Sequence, residues 1–501
     1  MKPVQSLSNI ESYKPPLDGR RSYQGLLLDF NEKIAPSDNE DTLYPEYEVL
    51  QSEISKYCGV DTESVLVAAG SGSAISLLFR AYCNPGDLVT IPQPSFSLLF
   101  QAAKIAEAEI VSPQYDNLTG EFPYDEVSKL VSDAKICVIC NPNNPTGTSV
   151  SAKQIKRLAQ KSKKTMILVD EAYVEYSGES AVELIREYPN IVVIRTFSKA
   201  FGLAALRVGY VVADPGVIQE LKKICSPYEV AMPSAVAAVN VLKELSTLKQ
   251  YISEEVNKSK DLIEEFFTEY GIPFYLTSAN FICFRPEKPN EVYDALKSKQ
   301  ILIRKVANDT MLRVTLGTIE SAKAFIDAYQ SICTVTEKAA FLDRDGTMIF
   351  EPQDTYQIDK TSQISLLDGV KDGLKRLKAA GYSLVMITNQ DGLGTKGYPR
   401  ENFLAVQNSL LMELALEGIW FSRVLVCPHF PEDDCMCRKP KLGLVDDSIT
   451  RKIDRKKSFV IGDRESDVEF GDNLRIMPKQ MSVNGSLGEA IGKILMIVDK
   501  E

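Results

Sequence analysis

The chain has 501 residues, of which 44% are hydrophobic and 25% charged, and its net charge is −11. This length predicts about three compact units. The negative charge argues against a nucleic acid or an anionic membrane as the main partner, because both attract basic patches. No apolar run reaches the roughly 18 residues of a membrane span. The sequence begins without an apolar secretory signal, and ten cysteines are too few for a disulfide scaffold, so we expect a cytoplasmic protein.

Only one histidine occurs in the sequence. Chemistry that needs a histidine general base at two separate sites, or a metal cage built from several histidines, is therefore excluded.

Short apolar runs alternate with helical patterns over the first two-thirds of the chain. This alternation predicts a largely parallel sheet covered on both faces by helices. The predicted strands are 64–69, 88–91, 136–140, 166–169, 191–195 and 207–212. Helices are expected at 150–161, at 215–224 and within 240–270, and a smaller α+β unit is expected at 272–332.

A second strand alternation begins after residues 331–338. The predicted strands are 339–342, 383–387, 423–427 and 458–462. The connection contains neither Pro nor Gly, so we do not expect a long flexible tether. The predicted architecture is therefore two successive α/β regions, 1–335 and 336–501. In the first, a large domain covers about 30–240, and a small domain combines the N-terminal segment with about 241–335.

Four motifs follow one another in the first region. The segment AGSGSAISLL (69–78) places small residues where a strand gives way to a helix, and exposed N–H groups at a helix start suit a phosphate. NPNNPTG (141–147) follows a strand, DEAY (170–173) closes another, and RTFSKAFGLAALRVGY (195–210) places Lys199 just after a third. Each alone has an ordinary explanation as a turn, a cap or a surface charge. Together, in this order, they indicate a functional site.

This set of motifs resembles the fold-type I enzymes that use pyridoxal 5'-phosphate (PLP). The resemblance implies that Lys199 binds PLP covalently and that Asp170 keeps the pyridine nitrogen protonated, since a buried carboxylate needs a cationic partner. Asn144 and Tyr173 would hydrogen-bond the phenolic oxygen of the ring. The residues expected to hold the phosphate are Ser71, Gly72, Ser198 and Arg207. Phe96 would stack on the ring, although a core phenylalanine is nearly as good an interpretation.

Within that fold, about residues 8–332 are most similar to the histidinol-phosphate aminotransferases. The further matching segments are LLLDFNE (26–32), LYPEY (43–47), SANFICFR (278–285), ILIRK (301–305) and LRVTLGT (312–318). The resemblance implies a homodimer in which Tyr44 reaches the PLP phosphate of the neighbouring subunit. The implied substrate-binding residues are Tyr13, Asn31, Arg304 and Arg313. Paired arginines suit both the carboxylate of glutamate and the phosphate of an amino alcohol.

Two features depart from the pattern of that family. Gly72 and Ser73 stand where acidic residues usually follow the Gly-Ser of the phosphate loop, and Phe96 replaces the more usual tyrosine. Neither departure touches a residue that carries the chemistry.

In the second region, FLDRDGT (341–347) follows directly on a predicted strand. In extended geometry Asp343 and Asp345 project to the same side. A solvated pair of acids in a turn is the ordinary interpretation. Three further segments argue against it, namely MITNQDGLGT (386–395), CRKPK (437–441) and VIGDRESD (460–467). The four motifs together resemble the haloacid-dehalogenase (HAD) superfamily of phosphatases, with a Rossmann-like fold.

The HAD resemblance implies a covalent mechanism. Asp343 would attack phosphorus, and Asp345 would protonate the leaving oxygen and then activate water. Mg²⁺ would bind Asp343, the backbone carbonyl of Asp345, and Asp463. Asp467 would orient Lys439 or the metal shell. The residues expected to neutralise the transferring phosphoryl group are Thr388, Asn389 and Lys439.

The segment CPHFPEDDCMC (427–437) contains the single histidine. Cys427, His429, Cys435 and Cys437 supply a complete tetrahedral zinc set without an open position, which predicts a structural Zn²⁺ site. Three reduced cysteines in a polar loop is the alternative. It is disfavoured because the cysteines gather beside the only histidine in a segment too short for a core.

The zinc segment, with DRDGT and TNQDGLGT, narrows the resemblance of about residues 338–500 to histidinol-phosphatase domains. One departure is the predicted helix FLAVQNSLLM (403–412), which lacks the histidine usual on the cap side. The two resemblances together predict a bifunctional enzyme of histidine biosynthesis. It would convert imidazole-acetol phosphate and glutamate into histidinol phosphate and 2-oxoglutarate, and then hydrolyse histidinol phosphate to histidinol and phosphate.

Two alternatives stay open. The same two enzyme classes could act on another amino-phosphate in coenzyme or natural-product biosynthesis. The chain could also be a binding or regulatory module with a decayed active site. Retention of the main acids and of the lysine argues against the latter.

Overall fold

The computed structural model describes residues 1–12, 43–333 and 335–498. The chain divides into two compact units. Described residues within 1–116, 120–255 and 277–280 form the first, and those within 117–119, 256–276 and 281–498 form the second. The boundary between 335 and 336 stays a prediction. Among the described helices, none has both the length and the apolar character needed to cross a membrane.

A seven-stranded sheet forms the centre of the first unit. Its strands are β1 (Val65–Ala68), β2 (Leu88–Thr90), β3 (Glu109–Val111), β4 (Ile136–Cys140), β5 (Met166–Asp170), β6 (Ile191–Thr196) and β7 (Gly209–Ala213). The strand order is β1-β7-β6-β5-β4-β2-β3. Strand β7 is antiparallel to both of its neighbours, and the remaining neighbours are parallel. The central strands are buried on both faces, as helix-covered parallel strands must be.

Helices cover both faces of this sheet. They are α1 (Glu48–Cys58), α2 (Gly70–Tyr82), α3 (Ser97–Ile105), α4 (Tyr124–Leu130), α5 (Ala152–Lys161), α6 (Val174–Ser177), α7 (Pro215–Lys222), α8 (Met232–Lys243) and α9 (Leu245–Tyr251). Helix α5 begins where the sequence provides a capping box, in which Ser151 and Gln154 satisfy each other's backbone N–H groups. Alternate residues of β4 enter two separate cores: Cys137 and Ile139 face one and Val138 the other.

The second unit contains a small three-stranded sheet. Helix α10 (Asn257–Glu269) precedes β8 (Phe281–Phe284), α11 (Pro289–Ser298), β9 (Arg304–Val306), β10 (Met311–Thr315) and α12 (Ile319–Gln330). The strand order is β8-β10-β9, antiparallel throughout. A cluster of aromatic rings in tilted and edge-to-face contacts fills its core. Described residues of 256–276 and 281–333 are called the three-stranded lobe below.

Residues 335–498 of the second unit are called the five-stranded lobe. It contains β11 (Ala339–Leu342), α13 (Val370–Ala379), β12 (Ser383–Asn389), α14 (Arg400–Leu416), β13 (Arg423–Cys427), α15 (Asp447–Thr450), β14 (Phe459–Gly462), α16 (Glu465–Leu474), β15 (Met477–Gln480) and α17 (Leu487–Val498). All neighbouring strands are parallel, in the order β13-β12-β11-β14-β15. The first strand, β11, is central, so the chain winds outward in both directions. Ligands of such sheets bind at the carboxyl ends of the strands.

Candidate active sites

The motifs of the first unit meet at one edge of its sheet. Asp170 ends β5, and Asn144 follows β4. Lys199 follows β6, which ends at Thr196, so two residues lie between them. These three strands are parallel neighbours, and their carboxyl ends therefore bring the three side chains to the same region of the sheet.

An anion cradle forms where α2 begins. A side chain on Gly70 would place its Cβ 2.5 Å from Arg207 Nη2, and one on Gly209 would lie 2.6 Å from the Ser71 backbone nitrogen. The two glycines thus let the arginine and the start of β7 approach the helix N-terminus. Arg207, at φ 52°, donates from Nη1 to Ser198 Oγ at 3.2 Å. A guanidinium beside a helix N-terminus is suited to a phosphate.

Asp170 is a buried carboxylate that lacks an ion-pair partner among the described residues. Its Oδ1 accepts a hydrogen bond from the Ala172 N–H at 3.1 Å. Burial raises the pKa of Asp170 to about 6, with the Ala172 hydrogen bond and the charge of Lys199 acting in the opposite direction. The neighbouring Glu171, by contrast, forms a buried ion pair with Arg195 at 2.9 Å. A protonated pyridine nitrogen would supply the missing cation, so this residue fits PLP.

Lys199 and Tyr173 lie near each other at the same edge. The Lys199 Nζ is 5.4 Å from the centroid of the Tyr173 ring, which is buried. The charge of Lys199 is also close enough to Asp170 to lower the pKa of that carboxyl. Lys199, Tyr173 and Asp170 are thus close enough to serve one cofactor.

The structure places two aromatic residues, Phe96 and Tyr44, that were predicted to contact the cofactor. Phe96 directly precedes α3 and packs, partly buried, against the core on its side of the sheet. Tyr44 is 44% exposed, and its ring centroid is 4.4 Å from that of Tyr228. Cofactor stacking by Phe96 and an intersubunit contact by Tyr44 stay predictions.

Ser73, one of the two residues that depart from the family pattern, contacts an acidic residue of another segment. Ser73 Oγ donates a hydrogen bond to Glu229 Oε1. Glu229 could not be predicted from the motifs, because it lies outside all of them.

The four predicted substrate residues are only partly described. Tyr13 and Asn31 lie outside the described residues. Arg304 and Arg313 occupy directly opposed positions on β9 and β10, so they share a face of the three-stranded sheet. Arg304 is exposed, and the Arg313 guanidinium lies 4.9 Å from the centroid of the Phe281 ring.

A buried charge cluster occupies the strand ends of the five-stranded lobe. Lys439 Nζ donates to Asp343 Oδ1 at 2.5 Å and to Asp467 Oδ1 at 2.6 Å. Asp343 directly follows β11, and Asp463 directly follows β14. Burial raises the pKa of Asp343; the Lys439 ammonium lowers it, and the nearby Asp467 and Asp463 carboxylates raise it further.

This cluster has the donor set of a site for a hard cation. The carboxylates of Asp343, Asp463 and Asp467 lie within 4.8 Å of one another. Asp463 Oδ2 is buried without a hydrogen-bond donor among the described residues, and its closest cation is Arg464 Nε at 4.0 Å. Three carboxylates face one buried ammonium group and, at a greater distance, the Arg464 guanidinium, so the cluster has excess negative charge. Mg²⁺ would compensate it through oxygen ligands, and the residues therefore fit the ion.

Asp345 is held differently from the cluster acids. Its side chain forms an ion pair with Arg344 and accepts a hydrogen bond from Gln390. Sequence reasoning missed both partners. Arg344 stands inside the motif FLDRDGT, and an arginine between two acids was the only signal available.

Two of the three predicted phosphoryl-binding residues, Thr388 and Asn389, lie at the end of β12. Thr388 is buried, and its Oγ1 accepts a hydrogen bond from Gln390 Nε2 at 2.8 Å. Asn389 Oδ1 accepts a hydrogen bond from the Lys439 backbone N–H at 3.0 Å. Asn389 thus fixes the segment that carries the cluster lysine.

The four predicted zinc ligands lie together, with Cys427 at the end of β13 and the other three in the segment that follows. Cys427 Sγ is 3.6 Å from Cys435 Sγ and 3.4 Å from Cys437 Sγ, and His429 Nδ1 is 3.1 Å from Cys437 Sγ. Ligands about 2.3 Å from a tetrahedral zinc would lie about 3.8 Å apart. Desolvation opposes ionisation of Cys435, but hydrogen bonds from Cys437, the Arg438 N–H and Cys427 lower its pKa to about 6. A set of close sulfur atoms with one thiolate already favoured fits Zn²⁺.

Comparison with protein families identifies both regions. Residues 22–328 match the family model of aminotransferase class I and II, and residues 338–475 match that of polynucleotide kinase 3 phosphatase. The histidinol-phosphate aminotransferase of Thermoanaerobacter sp. (strain X514) is 35% identical over 296 residues, which cover 58% of this chain and 83% of that protein. The histidinol-phosphate aminotransferase of Ruminiclostridium cellulolyticum is 31% identical over 343 residues, covering 65% of this chain and 94% of the relative.

A solved structure shows the same fold. The histidinol-phosphate aminotransferase from Sinorhizobium meliloti, in complex with pyridoxal-5'-phosphate, superimposes with a TM-score of 0.54 at 22% identity. The match covers 59% of this chain and 84% of that one. The chain therefore belongs to the class I and II aminotransferase family, whose cofactor is PLP, and carries a phosphatase domain fused behind its aminotransferase region.

Proposed function

We propose that this chain catalyses two consecutive reactions of histidine biosynthesis. The first transfers an amino group from glutamate to imidazole-acetol phosphate and yields histidinol phosphate and 2-oxoglutarate. The second hydrolyses histidinol phosphate to histidinol and phosphate. The observation that carries the proposal is the similarity of the first region to histidinol-phosphate aminotransferases, joined in one chain to a phosphatase-type domain.

In the transaminase reaction, PLP supplies an electron sink when it is bound. Lys199 holds the cofactor covalently, and Asp170 keeps the proton on its ring nitrogen. Asn144 and Tyr173 bind the phenolic oxygen, and Phe96 stacks on the ring. The phosphate is held by Ser71, Gly72, Ser198 and Arg207, with Tyr44 of a second subunit in a homodimer. The substrate is bound by Tyr13, Asn31, Arg304 and Arg313.

The phosphatase region is a Rossmann-like HAD domain in this proposal. Its central parallel sheet and the acids after β11 and β14 support the assignment. An oxygen of Asp343 attacks phosphorus, the phosphorus–oxygen ester bond breaks, and Asp345 gives a proton to the leaving oxygen. Asp345 then takes a proton from water, whose oxygen attacks phosphorus and frees Asp343. Lys439, Thr388 and Asn389 compensate the phosphoryl charge.

Two metal ions belong to the proposal. Asp343, Asp463 and the backbone carbonyl of Asp345 would hold Mg²⁺, which supplies positive charge opposite the phosphoryl oxygens. Cys427, His429, Cys435 and Cys437 would hold a structural Zn²⁺. The acidic composition and the reduced cysteines support a cytoplasmic enzyme of small-molecule substrates.

The fusion has a thermodynamic reason. Transamination exchanges similar bonds and lies near equilibrium, whereas hydrolysis of a phosphate ester is effectively irreversible. Hydrolysis in the same chain would draw the transamination forward without any need for channelling.

A second candidate is another amino-phosphate substrate. The observation that favours it is helix α14, where Phe403, Gln407 and Asn408 stand in the segment that usually carries a histidine in histidinol phosphatases. Turnover of the purified chain with a panel of phosphorylated amino alcohols, in the presence of PLP and Mg²⁺, tests the choice. Preference for histidinol phosphate in both transamination and hydrolysis supports the proposal, and preference for another member of the panel contradicts it.

A further inference from the structure

The geometry around Asp345 is unusually restrictive for a side chain that must exchange protons. Arg344 Nε donates to Oδ1 and Arg344 Nη2 donates to Oδ2, both at 2.9 Å. Gln390 Nε2 donates to the same Oδ2 at 2.7 Å. A two-pronged arginine pair fixes the plane of a carboxylate as well as its position, which a single hydrogen bond does not.

Arg344 is itself completely buried and held on several sides. Its Nη2 donates to Gln390 Oε1 at 2.7 Å, and its Nη1 donates to Gln407 Oε1 at 3.2 Å. Its guanidinium carbon lies 5.5 Å from the centroid of the Phe403 ring. A buried cation is expensive unless it is fully paired, so such an arrangement is costly to keep for packing alone. The pairing is consistent with a role in holding Asp345.

Helix α14 carries two of the residues that contact Arg344, and it also contacts the three-stranded lobe. Gln407 and Phe403 lie one turn apart and face Arg344. The next residue, Asn408, accepts through Oδ1 a hydrogen bond from the Phe274 N–H of the three-stranded lobe at 3.0 Å. At the helix start, Arg400 pairs with the buried Glu264 of that lobe at 2.8 Å.

Farther along α14, Met412 enters the core of the three-stranded lobe. It is fully buried with Tyr275, Cys283 and Met311. The same rigid helix therefore contacts that lobe on one side and the support of Asp345 on the other.

We infer that Arg344 is a positioning residue for Asp345 and that the three-stranded lobe, acting through α14, fixes its placement. The inference rests on the proposed phosphatase function, in which Asp345 is the acid and then the base. Arg344 touches neither the attacking oxygen of Asp343 nor Lys439 among its described hydrogen bonds, so its effect passes through Asp345.

The two chemical steps depend on Asp345 to different degrees. In the first step, the ester oxygen leaves with the bonding electron pair and needs a proton if it is an alkoxide. A p-nitrophenolate leaves readily without one. In the second step, water must lose a proton whichever ester was used. A misplaced Asp345 therefore spares only the first step of an aryl ester.

Pre-steady-state hydrolysis of p-nitrophenyl phosphate by the full chain with Mg²⁺ tests this. Gln407→Leu removes the acceptor of Arg344 Nη1, and Arg344→Lys keeps the charge but loses the fork. In both variants we expect a burst of about one p-nitrophenol per chain, as one nucleophile per chain predicts, and then turnover slowed by on the order of tenfold or more. Histidinol phosphate, an alkyl ester, should give no burst. Asn402→Leu, on the same helix but outside this network, should match wild type.

Asp345→Asn distinguishes a failure of the proposed phosphatase mechanism from a failure of the positioning role of Arg344. If it shows neither defect, the proposed phosphatase mechanism is wrong. If it shows the burst and slow turnover while Gln407→Leu and Arg344→Lys both behave as wild type, the positioning role of Arg344 is overturned. A fall of burst size together with turnover indicates general loss of folded enzyme and also overturns it.

Asn408→Leu tests the part played by the three-stranded lobe. The variant removes the acceptor of the Phe274 N–H without touching Arg344. The same burst followed by slow turnover supports the inference. Wild-type kinetics, alongside altered kinetics in Gln407→Leu, would show that the three-stranded lobe has no part in placing Asp345.

Discussion

Asn408 Oδ1 accepts a hydrogen bond from the Phe274 backbone N–H at 3.0 Å, and this bond joins helix α14 to the three-stranded lobe. The contact is one of several. Arg423 lies 3.6 Å from the centroid of the Tyr270 ring, and a Cβ on Gly271 would lie 2.7 Å from the Phe421 carbonyl oxygen. Parts of the two family regions thus share one packed interior.

Because the interior is shared, a cavity in it should lower the free energy of unfolding of the whole second unit. Met412 is fully buried, so Met412→Ala should lower the free energy of unfolding of the second unit by about 2–5 kcal/mol. Met496 is 69% exposed, and Met496→Ala should change it by no more than about 0.5 kcal/mol. Denaturant unfolding followed by fluorescence of Trp420, the only tryptophan, measures both. Equal effects of the two substitutions would contradict a shared core.

Lys199 is the residue on which the transaminase assignment depends most directly. Lys199→Ala should abolish transamination and the absorbance of covalently bound PLP, because no other amine in the site replaces it in the proposal. Phosphatase turnover should be unchanged. Asp343→Asn is the reciprocal control, with transamination kept and hydrolysis lost. Transamination by Lys199→Ala at the wild-type rate would contradict the assignment.

The raised pKa of Asp170 predicts that a neutral side chain at this position will stabilise the PLP-free chain but weaken PLP binding. Its folded-state pKa of about 6 lies above the usual value, so without PLP its contribution to stability is present below about pH 4 and lost as pH rises through 6. Asp170→Asn should therefore stabilise the PLP-free chain by up to about 3 kcal/mol at pH 8, with little gain at pH 4. The same variant should bind PLP more weakly.

Thermal unfolding of the two PLP-free proteins across this pH range, with PLP titration at pH 8, measures the Asp170 effect. A variant that binds PLP as well as wild type would contradict the role of Asp170 opposite the ring nitrogen.

The cysteine cluster predicts about one zinc per chain, since four ligands close one tetrahedral site. Metal analysis of purified protein checks the content. Cys435→Ser should release the zinc and destabilise the five-stranded lobe more than it slows hydrolysis in the fraction that stays folded. His429→Ala should act in the same way. Cys333→Ser changes a cysteine outside the cluster and should keep the metal. A metal-free wild type of full stability would rule out a structural zinc.

Much of the fold could be predicted because buried parallel strands are continuous apolar runs. The predicted strands 136–140, 339–342 and 423–427 coincide with β4, β11 and β13. The predicted strand 207–212 is placed later, at Gly209–Ala213, because Arg207 takes a left-handed conformation ahead of it. The sheet order and the reversed direction of β7 depend on contacts distant in sequence, so no local pattern indicates them.

The site was predictable to the extent that its residues stand in short motifs at strand ends. Asp170, Asp343 and Asp463 are of this kind. Arg344 and Gln390 also stand in such motifs, and Gln407 lies in α14, but the role of these three could not be predicted because it depends on hydrogen bonds between segments 46 and 63 residues apart. The packing of α14 on the three-stranded lobe could not be predicted from the sequence either. The pattern of a buried helix does not indicate which part of the protein packs against it.

The proposed function requires one chain to carry out both reactions in succession. The direct measurement is the time course of histidinol and free phosphate after imidazole-acetol phosphate and glutamate are added to the full chain with PLP and Mg²⁺. Wild type should convert the substrate completely. Asp343→Asn should stop at a near-equilibrium mixture that contains histidinol phosphate, because the nucleophile has lost its charge and hydrolysis falls by several orders of magnitude. If wild type leaves both phosphate esters intact, the proposed function is contradicted. If Asp343→Asn releases phosphate at the wild-type rate, the proposed phosphatase mechanism is contradicted.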